Sequence, residues 1–220
     1  MKEFPFDPYD FFGYIATGLL VLFACQLLIG TPTVTGIEHK PFDAVVLLIA
    51  AYVVGQVVDT PAKAFIEDLL TRRLLGSPTD NLMATKPPRL RSLLFPGYYI
   101  PLQDNIQDSI RKKATAEGLS EPKGEKLFLH IRFRDYITSN DKLAARLSIF
   151  LNRYAFNRTL CFASLAAGIA ILVTRPFNAS DDVTRYGMFA IALAIALFYR
   201  YLKFYRQYSY ELFNTCQGRQ

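Results

Sequence analysis

The sequence has no tryptophan, only three cysteines and two histidines in 220 residues, and a charged fraction of just 20%. Each scarcity excludes something. Cys25 and Cys161 lie inside apolar runs and Cys216 lies near the C-terminus. That spacing suits neither a disulfide framework nor a metal site, so two small apolar packers and one solvated thiol are expected. His39 and His130 are separated by a predicted membrane span and cannot share a site. The chain has no Walker A loop, no G-x-S-x-G elbow, no H-E-x-x-H and no Cys/His ligand spacing. Asp135 and Asp141 read as solvated surface carboxylates. Catalysis and a bound cofactor are therefore not expected.

What is present is apolar sequence: 51% of residues, at a mean hydropathy of +0.17. A soluble domain of this length carries about 25% charge and seldom runs far without it. Here four stretches lack Asp, Glu, Lys and Arg altogether: residues 11–30, 44–58, 159–174 and 187–199. A bilayer core takes roughly 17 to 25 helical residues. The first run reaches that length unaided. The second and third reach it with their flanks, and the fourth continues into residues 200–205, where Lys203 can snorkel. Residues 1–10 carry Lys2 against Glu3, Asp7 and Asp10. That is the wrong sign for a signal peptide, so the first run is read as a retained span.

Lysine and arginine set the orientation. Residues 59–158 hold seventeen of the twenty-five, the two short loops at 31–42 and 175–186 hold three, and the segment after span four holds four. Both termini and the long middle stretch are expected on the cytoplasmic side of an inner membrane. Aromatic residues at 4–14 and 199–210 read as belts at the inner headgroup level.

The middle stretch is expected to be helical. After Asp59, residues Phe65, Ile66, Leu69 and Leu70 fall on one face of a continuing α-helix with Glu67 and Asp68 opposite; Gly76 and Pro78 supply the stop. Leu143, Leu147, Phe150, Leu151 and Tyr154 repeat at three- and four-residue steps, predicting a second continuous helix over 141–174. Five prolines break up residues 77–102, and LFPGYYIP within them is expected to pack under the membrane or against a stalk. Residues 103–117 predict a short helix. At 126–137 the alternation of Leu129, Ile131 and Phe133 with His130, Arg132 and Arg134 leaves strand open beside helix, with helix favoured for want of a partner strand.

The resulting reading is an all-α polytopic membrane protein with four transmembrane helices and a cytoplasmic helical insert between spans two and three. It divides into a hairpin at 1–60, a head with stalks at 61–154, a second hairpin at 155–205 and a tail at 206–220. Candidate ligand-binding residues are Arg111, Lys112, Lys113, His130, Arg132 and Arg134, a basic set suited to the phosphates of a nucleotide, an oligonucleotide or anionic lipid. Arg89 and Arg91 are candidates for lipid phosphates. Small residues at four-residue spacing let helices approach closely, and membrane amides need partners. Gly13, Gln26, Gly55, Gln56, Ser164 and Gly168 are therefore candidates for a helix interface or a pore lining. Four spans are too few to enclose a pore, so conduction would need several copies.

Asp10-Phe11-Phe12-Gly13-Tyr14 and Tyr52-Val53-Val54-Gly55-Gln56 resemble motifs of a group of bacterial four-span proteins. The layout, two spans, a basic helical insert and two spans, is similar to small membrane effectors of anti-phage systems of the Hailong and Kiwa type. That resemblance implies a homo-oligomer, such as a tetramer. It would act by membrane permeabilisation or as the membrane partner of a cytosolic protein. It carries over no functional residues.

Overall fold

The computed structural model describes residues 8–29, 41–84, 89–119, 124–138, 141–174 and 181–214, and their side chains except at 8–10, 41, 89, 133–138, 141–143 and 181. His39, Cys216 and the side chains of Asp135 and Asp141 lie outside the described residues. The elements, in order, are α1 (Pro8–Ile29), α2 (Pro41–Ala62), a π-helical segment (Lys63–Leu75), α3 (Pro78–Leu82), α4 (Arg89–Leu94), α5 (Asp104–Ala116), α6 (Gly124–Thr138), α7 (Asp141–Thr174) and α8 (Asp181–Asn214). The fold is all-α. Helix α6 resolves the helix-or-strand ambiguity at 126–137, and α7 begins and ends where its periodicity predicts.

The chain divides into two compact units. One takes Met1–Leu69 and Ala155–Arg200, the other Leu70–Tyr154 and Tyr201–Gln220. The first is a polytopic membrane bundle. Among the described residues, four helical stretches are long and apolar enough to cross a bilayer: Phe11–Ile29, Phe42–Leu82, Ala144–Thr174 and Asp182–Asn214. Large apolar side chains point outward along them, among them Phe12, Phe42, Ile49, Val57, Val173 and Phe189. In water that surface would be untenable; in lipid it is the normal exterior.

Within the bundle, small residues set the helix spacing. Gly18 lies against the Ala51 carbonyl and Gly55 against the Tyr14 carbonyl, so closely that a methyl at either site would collide with backbone. Pairing an early residue of α1 with a late one of α2 makes these two helices antiparallel. The Tyr52 ring packs at a tilt against Phe11 and edge-to-face with Tyr14 at the same end. Gly13 meets the Phe156 ring, and Ala24 packs with Ala167 and Ile171, so α7 runs parallel to α1. Gly168 lies beside Gly187 and Ile191, and the Cys161 thiol donates to the Ala194 carbonyl at 3.3 Å, so α8 returns antiparallel to α7. Within the bundle unit, one end thus gathers the start of α1, the end of α2, Ala155–Phe162 of α7 and the stretch of α8 from Ala194 to Arg200. Four-span parity requires this grouping.

The second unit has its own core: Leu82, Met83, Leu102, Ile110, Ala114, Leu127, Phe128, Ile131, Leu147, Tyr208, Leu212 and Phe213. The C-terminal part of α8 therefore helps to build this unit up to Asn214, where a separate tail from 206 was expected. Tyr201, Tyr205 and Tyr208, read from sequence as a headgroup belt, are buried in it against Tyr154, with Tyr154 and Tyr205 stacked at 4.9 Å. Hydropathy could not separate these outcomes, because an amphipathic ring is equally at home in a headgroup layer and in a wet-edged core.

The end of the π-helical segment is capped from this unit. Gly76 adopts φ +84°, the left-handed conformation that ends helices. Tyr98 donates its hydroxyl to the Gly76 carbonyl at 2.7 Å, and Tyr99 donates to the Leu75 carbonyl at 2.8 Å. Two of the carbonyls orphaned by a helix end are satisfied this way. Burial pushes the Tyr98 phenol well above its ordinary range. Ser77 then caps α3 by accepting from the Asp80 amide.

Candidate ionic site

Helix α2 changes character just after Pro61, whose ring has no N–H and crowds the carbonyl four residues before it. From Lys63 to Leu75 the hydrogen bonds run i→i+5, a geometry usually confined to single turns and associated with functional sites. The wider turn changes which side chains face inward. Ala62, Ile66, Glu67 and Thr71 are buried, while Phe65 and Leu69 are exposed. A 3.6-residue period groups Phe65, Ile66, Leu69 and Leu70 on the inner face and sends Glu67 outward. The structure overturns that grouping, and the cause is the helix type.

Glu67 turned inward meets Arg158 of α7. The Arg158 Nη1 lies 2.5 Å from Glu67 Oε2, and its Nη2 lies 2.8 Å from Asp59 Oδ1. Thr159 adds a hydroxyl bond to the same Asp59 oxygen at 2.6 Å. The Arg158 and Glu67 side chains are only 7% and 5% exposed; Asp59 is 29% exposed. The Arg158 Nε is buried with no hydrogen-bond partner among the described residues. One guanidinium therefore bridges two carboxylates eight residues apart on the α2–π-helix run. A planar fork does this readily, and a single ammonium does not.

All four groups belong to the bundle unit, at the end where α2 leaves it and the span part of α7 begins. Taking such charges out of water costs several kcal/mol per ion unless each is paired and hydrogen-bonded. The pairing ties α7 both to the end of α2, through Asp59, and to the π-helical segment, through Glu67. Among the described residues no cluster of three His, Cys, Asp or Glu side chains could hold a metal ion. The chemistry on offer is electrostatic locking.

The sequence candidates are placed as follows. Gly13, Gly55 and Gly168 are helix contacts inside one chain. Ser164 is fully buried with no hydrogen-bond partner for its hydroxyl among the described residues, and Gln26 is half-buried and engaged. Gln56 is exposed and donates to the Tyr52 hydroxyl one turn back at 2.9 Å. The basic run 111–113 does not form one face, because consecutive helical positions diverge by about 100°. Arg111 donates to the Met83 carbonyl at 3.3 Å and to Gln107 at 3.4 Å. Lys112 is exposed, and Lys113 is half-buried and engaged. His130 pairs with Glu117 at 2.7 Å, joining α6 to the end of α5. Arg132 and Arg91 are exposed. The side chains of Arg134 and Arg89 lie outside the described residues.

Sequence reasoning missed Asp59, Glu67, Arg158 and Thr159. A usable signal existed for part of the set: Asp59 ends one apolar run and Arg158 immediately precedes another, so antiparallel spans put the two opposite charges at the same depth. No family model, no curated protein and no solved structure matches the chain.

Proposed function

We propose that the chain is a homo-oligomeric membrane effector whose spans conduct ions when its basic insert engages an anionic ligand or a cytosolic partner. The observation that carries this reading is the π-helical segment with its buried Glu67–Arg158 lock. It lies on the covalent path from span two into the insert unit, and it has a ready alternative. Conversion to α-helix would lengthen the segment and rotate Glu67 away from Arg158, because each α turn takes up fewer residues. An element with two discrete hydrogen-bonding patterns, held in one by an ion pair, is the kind of bistable part that switching needs.

The closely packed interior of one four-helix bundle supports conduction between copies rather than through one. The bias of seventeen basic residues within 59–158 supports a cytoplasmic insert in an inner membrane, with both termini on the same side. The resemblance of the layout to that of small membrane effectors of anti-phage defence supports permeabilisation as the outcome.

The test is ion flux from proteoliposomes of purified protein, with and without a nucleoside triphosphate or a short oligonucleotide. Flux is expected to rise with ligand, to become ligand-independent in Glu67→Gln, and to lose its ligand response in Lys112→Glu/Arg132→Glu. These two basic residues are exposed. Silence under all conditions, together with a single-copy mass in detergent, replaces this reading with a membrane scaffold for a cytosolic protein.

A further inference from the structure

The segment containing α4 is apolar on its open side although it lies outside the four uncharged runs. Leu90, Leu93 and Leu94 stand at i, i+3 and i+4, hence on one helix face. They are 77%, 78% and 59% exposed, and Ile100 just beyond is 56% exposed. The neighbouring Tyr98 and Tyr99 are buried, with their hydroxyls on the Gly76 and Leu75 carbonyls. The segment is thus anchored through its phenols and bare on its leucines. Between Asp80 and Asp104 the chain has no acidic residue and three basic ones, Lys86, Arg89 and Arg91.

We infer that this segment is an interfacial anchor that lays Leu90, Leu93, Leu94 and Ile100 on an anionic lipid surface. Two features select that occupant. In sequence, Lys86, Arg89 and Arg91 accompany these leucines and no acidic residue lies between Asp80 and Asp104, a local excess of positive charge that complements the negative potential of an anionic leaflet. The chain also brings its own bilayer: only about twenty residues separate the bundle unit's Leu69 from α4, a tether that gives high effective concentration. A short apolar face with a few basic residues binds lipid only marginally by itself, and tethering makes such weak docking sufficient. The inference requires the membrane bundle alone and is independent of conduction.

The chain has no tryptophan, so Leu93→Trp introduces a sole indole reporter. The full-length variant is placed in nanodiscs of phosphatidylcholine alone or enriched in phosphatidylglycerol. The expected result in the anionic discs is blue-shifted emission, quenched by brominated lipid and shielded from iodide. Removing one charge by Arg91→Gln is expected to lower the docked-to-undocked ratio roughly fivefold. Iodide access in both compositions overturns the inference. So does docking that is equal in both lipids or indifferent to Arg91→Gln. Shielding that disappears when each disc holds one copy also overturns it and assigns the face to a second copy. Leu90→Trp repeats the measurement from the same face should the first reporter disturb folding.

Discussion

Arg158→Met is the most direct perturbation of the ionic clamp. It removes a guanidinium that is 7% exposed and leaves Glu67, 5% exposed, as a carboxylate with its bridging cation gone. Breaking a buried pair by deleting one partner costs about 3–5 kcal/mol, because the surviving charge keeps its desolvation penalty. For a chain of this size that corresponds to a fall in melting temperature of roughly 6–20 °C. Arg158→Lys should fall between wild type and Arg158→Met, since one ammonium can serve one carboxylate well but cannot reproduce both Nη contacts. The decisive comparison is the double variant Glu67→Gln/Arg158→Met. If the cost is electrostatic, neutralising Glu67 recovers much of it, because the remaining Asp59 is 29% exposed and keeps its bond to Thr159. Thermal unfolding in detergent, followed by circular dichroism, reads all four proteins. A melting point for Arg158→Met close to wild type would refute the clamp, as would a double variant no more stable than the single.

Two further outcomes follow from the packing and capping. Gly55→Leu drives a branched side chain into the Tyr14 backbone and separates α1 from α2. A loss of at least about 1–3 kcal/mol is expected, seen as a lower melting temperature, whereas Gly97→Ala, with open space at its Cβ, should be neutral. The Tyr98 phenol, raised by burial and bonded to the Gly76 carbonyl, predicts alkaline destabilisation. Below about pH 10 the folded and unfolded chains both hold this proton and stability is flat in pH. Above it the unfolded chain releases the proton first, so stability falls by up to about 1.4 kcal/mol per pH unit. Tyr98→Phe should abolish that part of the slope in melts taken across the alkaline range.

The parts of the fold that were legible depend on one period. An uncharged run of span length declares its own solvent, so the four spans could be read directly from residues 11–30, 44–58, 159–174 and 187–199. Helix α7 could be read whole because its apolar repeat crosses from residue 143 into the span without a break. The end of α8 was misread for a different reason. Tyr205, Tyr208 and Leu212 carry a pattern that serves a headgroup belt or a packed core equally well. The choice depends on whether Leu147, Phe128 and Tyr154 arrive from elsewhere in the chain to cover them. That is a long-range fact, and no local window contains it.

The ionic site was hidden by helix type. A helical-wheel reading presumes 100° per residue, and over the few positions from Ala62 to Thr71 the narrower angular step of a π-helix is enough to exchange Glu67 for Leu69 on the inner face. No residue in Lys63–Leu75 announces that change, since Phe, Ile, Leu, Thr and Arg all suit an α-helix. Pro61 alone hints at a break, and its usual consequence is a kink. A charged residue on the outer face of an amphipathic α pattern gains nothing from a distant arginine. Yet Arg158 sits where span three begins, at a depth where an unpaired charge is costly. An arginine there requires partners at its own depth, and the chain supplies few acids near this end of its spans. Asp59 is one, and it leaves half of the guanidinium fork empty. Filling the other half from the same strand of chain demands an acid brought round to the same side some two turns later. That holds for Glu67 only if the turns are wider than those of an α-helix.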